Sequence, residues 1–166
     1  MEQQITISPP AFQIIEREAF TVLGVEEEFA LIESDDPGFA KIWLERFEAK
    51  HELVRPFSID KAYYGIFFYA PERVGRPARY LAGMRVAHIP ATPADWVLRE
   101  IAAARYAVFE TTLAQIGDAT DHALARWLPE AGYEHDNPRP HFDFMPPEAT
   151  HADSPVTVWI PIRHRT

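Results

Sequence analysis

Hydrophobic and polar positions change their period several times along this chain, and each change marks a boundary. Phe12 to Ala30 is rich in β-branched and aromatic residues, with Gly24 inside it. It reads as one long, bent strand, the glycine marking the bend. Asp35-Asp36-Pro37 then has the form of a helix start: an acidic N-cap followed by a proline whose missing N–H costs nothing there. Phe39, Ile42, Trp43 and Phe47 recur at helical spacing, with Lys41, Glu45, Arg46 and Glu48 on the wet side. The pattern predicts a helix that ends near Leu53, before Arg55-Pro56. Tyr63 to Ala70 and Arg79 to His88 read as buried strands, separated by a turn-rich loop over Pro71 to Pro77.

The second half repeats the order. Val97 to Thr111 reads as a strand with a kink and Gln115 to Leu128 as a helix. His141 to Met145 and Val156 to Ile162 read as strands. Phe20-Thr21-Val22-Leu23 matches Tyr106-Ala107-Val108-Phe109, Trp43 matches Trp127, and Tyr64-Gly65-Ile66-Phe67 matches Phe142-Asp143-Phe144-Met145. The fold class is therefore α+β, a duplicated β-α-β-β unit. Two copies side by side share one sheet, with helices on one face and a groove on the other. Ile89 to Trp96 is too short for a linker, so residues 1–166 form one domain with repeats over about 11–90 and 95–164. Phe20, Trp43, Phe47, Tyr106, Val108, Trp127, Phe142 and Phe144 are the expected core.

Composition narrows the function. A net charge of −9, without a Lys/Arg cluster, argues against nucleic acid, which requires a basic face to displace counterions. The acidic run Glu26-Glu27-Glu28 reads as a solvated edge that discourages strand-to-strand aggregation. No apolar run approaches the ~20 residues of a membrane span, and the first residues lack the basic start of a signal peptide. A soluble cytoplasmic protein follows as the expectation. The chain has no cysteine, which excludes disulfides and thiolate chemistry. His135, His141 and His151, with Asp136 and Asp153, fit no zinc spacing, and no phosphate loop or serine nucleophile turn is present, so neither metal nor cofactor is expected.

The residue that demands a reason is Asp143, an acid between two phenylalanines on a buried strand. Side chains alternate along a strand. If Phe142 and Phe144 belong under the helix, Asp143 and Met145 face the groove, joined there by Phe67, Tyr69 and Trp159. Trp96 lies at the lip of that groove or anchors a loop. Such an acid ringed by aromatics suits a flat or cationic small molecule. A simpler reading pairs Asp143 with Arg85 at the sheet surface.

The second-half motifs resemble those of the GyrI-like small-molecule-binding family, the AraC-type effector-binding domain. The segments concerned are Ile101 to Phe109, Trp127-Leu128-Pro129-Glu130-Ala131-Gly132-Tyr133-Glu134, Phe142-Asp143-Phe144-Met145 and the final Ile160-Pro161-Ile162 strand. The family patterns are I-P-A-x-x-Y-A-V-F, W-L-P-x-S-G-Y-E, F-E-x-Y and a last I-x-I-P strand, and the similarity runs from Phe12 to Arg163. It implies tandem β-α-β-β modules related by a pseudo-twofold axis and binding of small, often cationic or aromatic, molecules. Many members are fused to helix-turn-helix domains in transcription regulators, and a few stand-alone members are hydrolases. Here Ala102 replaces the family proline, Asp143 the glutamate and Met145 the tyrosine. The chain thus reads as a stand-alone binder of a small organic molecule, by sensing or sequestration, with a protein partner or a homodimer as further associations. The alternatives are a hydrolase with Asp143 as its acid or base, and a protein-interaction module that inhibits a nucleic-acid enzyme.

Overall fold

The computed structural model describes residues 11–29, 41–68, 78–88, 91–137 and 139–166. The expected helix start at Asp35-Asp36-Pro37, Phe39, the loop over Pro71 to Pro77 and Tyr69 lie outside these residues. The described strands are β1 (Phe12–Arg17), β2 (Phe20–Phe29), β3 (Tyr63–Phe68), β4 (Ala78–Arg85), β5 (Val97–Ile101), β6 (Ala104–Thr112), β7 (Tyr133–His135), β8 (His141–Met145) and β9 (Pro155–His164). All pairings are antiparallel, in the order β1-β6-β9-β8-β3-β4-β2-β5, with β7 added to the end of β9.

The duplication is visible in this order. In one module β4 lies between β2 and β3; in the other β9 lies between β6 and β8. The modules meet where β3 pairs β8, with Gly65 opposite Asp143. The long strands expected over Phe12 to Ala30 and Val97 to Thr111 are each two strands, broken at Glu18-Ala19 and at Ala102-Ala103. Each break sends the lead strand to the other module: β1 pairs β6, and β5 pairs β2. Gly24 is not the break. It sits opposite Gly83 within the β2–β4 ladder, where a Cβ would fall 2.1 Å from the Ala82 carbonyl oxygen. Glycine is needed there for close backbone approach.

Both helical stretches lie between the first and second strands of their modules. The first comprises a π-helical segment, Ile42–Phe47, and a short α-helix, His51–Val54; the second runs from Ile116–His122 through a π-helical Ala123–Trp127 to Leu128–Glu130. Trp43 and Trp127 each fall in a π-helical segment, a wider turn that re-aims side chains. The first stretch packs Ile42, Phe47 and Val54 on Leu23, Val25, Ala82 and Met84. The second packs Ala123, Trp127 and Leu128 on Ala107, Phe109, Val158 and Ile160. Each sheet patch supplies alternate residues of its strands, as pleating requires.

The remaining alternate residues form a third core on the other side of the sheet, with no described helix over it. Phe20, Val22, Tyr64, Ile66, Leu81, Ile101, Tyr106 and Phe142 are buried there, with Ile15 of β1 and Val97 of β5 packed against them. Strands that twist and curl can bury their own inner face when the edges are drawn in. Of the expected core, Trp43 and Phe144 are only half-buried, and the other six residues are buried. The acidic run is not a bare solvated edge: Glu26 pairs Arg99, Glu27 pairs Arg46 and Glu28 pairs Arg79. Tyr133 to His135, a stretch between the expected helix and the strand at His141, forms β7 after Gly132 takes φ of 88°. No helix among the described residues is long and apolar enough to cross a membrane.

Candidate functional site

Asp143 faces the helices, not the groove. Its register partners are Gly65 on β3 and Val158 on β9. Val158 belongs to the core of the second helical stretch, and Tyr63 and Phe67, on the same face as Gly65, pack against the core of the first. The carboxylate therefore stands at the seam where the two helix-covered patches meet. Trp159 faces the other way. It pairs with Phe142 and stacks on it at 5.4 Å, on the curled side of the sheet.

The expected site thus divides. Phe67, Met145 and Asp143 share the helix side by strand alternation, Trp159 lies on the opposite side, and Tyr69 is outside the described residues. Trp96 is a loop anchor: it is buried in the first helical core, stacked on Phe47 at 5.4 Å. Arg85 is on the curled side, so it forms no pair with Asp143. It shares a register row with Val22 of the curled core. The alternation of β8 is as expected, but its sense is reversed. The helix is the only cover that the sequence displays, and it draws Phe142 and Phe144 to itself in any reading of the pattern alone.

Around Asp143 the surroundings are aromatic and tight. The acid is 4% exposed, and its Oδ1 has no hydrogen-bond partner among the described residues. Gly65, directly opposite, leaves room that the Tyr80 hydroxyl fills: a Cβ at Gly65 would meet Tyr80 Oη at 2.4 Å. Tyr80 Oη accepts a hydrogen bond from Trp43 Nε1 at 2.8 Å, and its ring meets Phe67 at 4.9 Å. His141, also on this side and buried, stacks on Phe67 at 4.5 Å. Neither Tyr80 nor His141 is among the site residues expected from the sequence. For Tyr80 the available signal is its parity with Ala82 and Met84 on β4.

Burial governs the chemistry. Removal from water disfavours the charged form, so the Asp143 carboxyl is pushed up from 3.8 to about 8. Burial also raises Tyr80, and the nearby Asp143 charge raises it further, so its hydroxyl stays protonated. At neutral pH the site holds a mostly neutral acid among rings, ready to ionise if a positive charge arrives. Among the described residues no group of three or more His, Asp or Glu side chains is placed to hold a metal.

A second concave feature lies on the curled side. A cavity of about 540 Å³ is lined by Arg17, Arg85, Tyr64, Phe144, Trp159 and neighbouring residues. Arg17, from the end of β1, spreads its guanidinium 3.9 Å over the Phe20 ring and 5.1 Å from that of Trp159.

The fold has known counterparts. The structure of SAV2435 bound to tetraphenylphosphonium is similar at TM-score 0.71 and 14% identity, covering 92% of this chain and 94% of that one. The integron cassette protein VCH_CASS2 from the mobile metagenome of Vibrio cholerae matches at TM-score 0.61 and 16% identity, covering 92% and 95%. The EcmrR C-terminal domain matches at TM-score 0.66 and 11% identity, covering 93% and 98%. At these identities the likeness establishes the fold alone. No curated protein matches the sequence. Residues 13–162 do match one family, described as integron-associated effector binding protein, and with nearly the whole chain so covered, this protein belongs to the Cass2 family of effector-binding domains of the GyrI-like type.

Proposed function

We propose that this effector-binding domain takes up a lipophilic organic cation at Asp143, between the two helical stretches. The observation that carries the reading is a carboxyl group 4% exposed, with one oxygen unmet by any hydrogen bond among the described residues. A buried polar group without a partner is costly, and a buried charge more so. A cation with an apolar body supplies the missing charge and keeps water out. The rings of Phe67 and Tyr80 offer their faces and edges to such a body. Tetraphenylphosphonium, the compound bound to SAV2435, is a guest of this kind.

Contact with Asp143 requires side chains packed over it to move, and the Trp43–Tyr80 hydrogen bond is one tie to be broken. Binding also ionises the acid. With its pKa near 8, the carboxyl releases a proton when the cation arrives at pH 7. Below that value, apparent affinity rises about tenfold per pH unit and then levels off. The bound state serves sequestration, or is sensed through a protein partner.

Calorimetry with tetraphenylphosphonium and the neutral triphenylphosphine oxide tests the reading. Asp143→Asn should weaken the cation more than tenfold, about 1.4 kcal/mol, and leave the neutral compound unchanged. Equal, small losses for both would make the carboxylate a structural residue.

A further inference from the structure

The curled side of the sheet carries charges that the Asp143 site does not use. Most described arginines of this acidic chain pair with a carboxylate, Arg46 with Glu27 and Arg99 with Glu26 among them. Arg17 and Arg85 form no ion pair among the described residues, and both line the same 540 Å³ cavity. Arg17 Nη2 donates to Tyr64 Oη at 3.2 Å, which leaves most of its five N–H donors uncommitted among the described residues. Arg85 Nε is buried without a hydrogen-bond partner among the described residues. Neither of the two acids of the cavity answers them. Asp60 is engaged by its own neighbours, accepting from Tyr64 Oη at 2.6 Å and from the Ala62 amide at 3.0 Å. Glu110 is exposed at the rim.

The walls are flat and apolar. Trp159 and Phe144 line the cavity, Phe142 stacks behind Trp159 at 5.4 Å, and Tyr64 meets Phe144 edge-on at 5.4 Å. Arg17 is held at a fixed height by the rings of Phe20 and Trp159. A guanidinium held this way presents a planar fork that matches a carboxylate. From this arrangement we infer that the cavity is a second binding site, for a planar aromatic carboxylate whose anionic group meets Arg17 and Arg85 and whose ring stacks on Trp159. The site is independent of Asp143, which lies on the other side of the sheet.

The probe is 2-naphthoate, with neutral 2-naphthamide as its control, titrated into the full chain by calorimetry while the Trp159 indole N–H resonance is followed. Naphthoate should bind at least tenfold tighter than the amide and shift the Trp159 resonance. Arg17→Gln and Arg85→Gln should each remove that preference, and Asp143→Asn should leave it intact. Circular dichroism checks folding of each variant; if Arg17→Gln does not fold, Arg85→Gln decides alone. Failure of naphthoate to bind, equal affinity for acid and amide, or an unchanged preference in the folded arginine variants would overturn the inference. Loss of the preference in Asp143→Asn would overturn its independence. Since the cation test reads Asp143 and this one reads the arginines, either can fail without the other.

Discussion

The two sides of β8 solve different problems with neighbouring residues. On one, the side that carries the helices, Asp143 is buried, an acid in aromatic company with one oxygen unmet among the described residues. On the other, Phe142 and Phe144 lie in a core closed by the curl of the sheet, with an arginine spread over its rings. The first side conceals a charge that burial has neutralised; the second displays one that aromatic faces stabilise. The contrast shows how cover decides chemistry. A carboxyl shut away from water is disfavoured in its charged form, whereas the half-exposed guanidinium of Arg17 lies against aromatic faces that attract it. On the two proposals made above, one strand serves two ligand classes of opposite sign.

The comparison is most exposed to failure at Phe142. If the curled side is a true core, Phe142→Ala should cost about 3–5 kcal/mol, as emptied aromatic sites do. A variant that unfolds in denaturant like the parent would show that this side is only a surface.

The next test concerns Asp143 and pH. Its folded pKa lies above the unfolded one, so the native state holds the proton more tightly. The stability associated with the neutral acid is present below about pH 4 and is lost as pH rises toward 8, at about 1.4 kcal/mol for each pH unit crossed. Asp143→Asn should therefore gain stability relative to the parent between pH 4 and 8, and melting curves across that range should diverge. Parallel curves would mean that the carboxyl is hydrated.

A smaller effect is expected at Gly65. An added methyl there meets Tyr80 Oη at 2.4 Å. Gly65→Ala should cost about 1–3 kcal/mol by overpacking, and Tyr80→Phe in the same chain should recover part of it. Without recovery, the tyrosine hydroxyl does not occupy the space opposite Asp143.

Much of this architecture is readable from residue order. Alternation along Tyr63 to Phe67 and His141 to Met145, the paired tryptophans and the repeated strand-helix-strand-strand order lead to the duplicated α+β sheet. The site is harder to read, for a physical reason. A pleated strand states which residues share a side, but not which side is which. When one side has a helix and the other has nothing in the sequence to cover it, aromatics point to the helix. Here both sides are cores, because β1 and β5 close the second one from afar, and the assignment inverts. Arg17 is illegible as a site residue for the same cause: its partners Tyr64, Phe142 and Trp159 come from three strands of both modules.

The exchanged lead strands have a mechanical consequence. Two lobes joined by a simple seam can part like a clam shell, but these cannot. Separating the modules along β3 and β8 would also have to unzip β1 from β6 and β5 from β2, three ladders at once. The sheet behaves as a buckled belt, stiff against spreading: if a cation is taken up at Asp143 as proposed, the side chains packed on the helix side yield while the belt stays fastened.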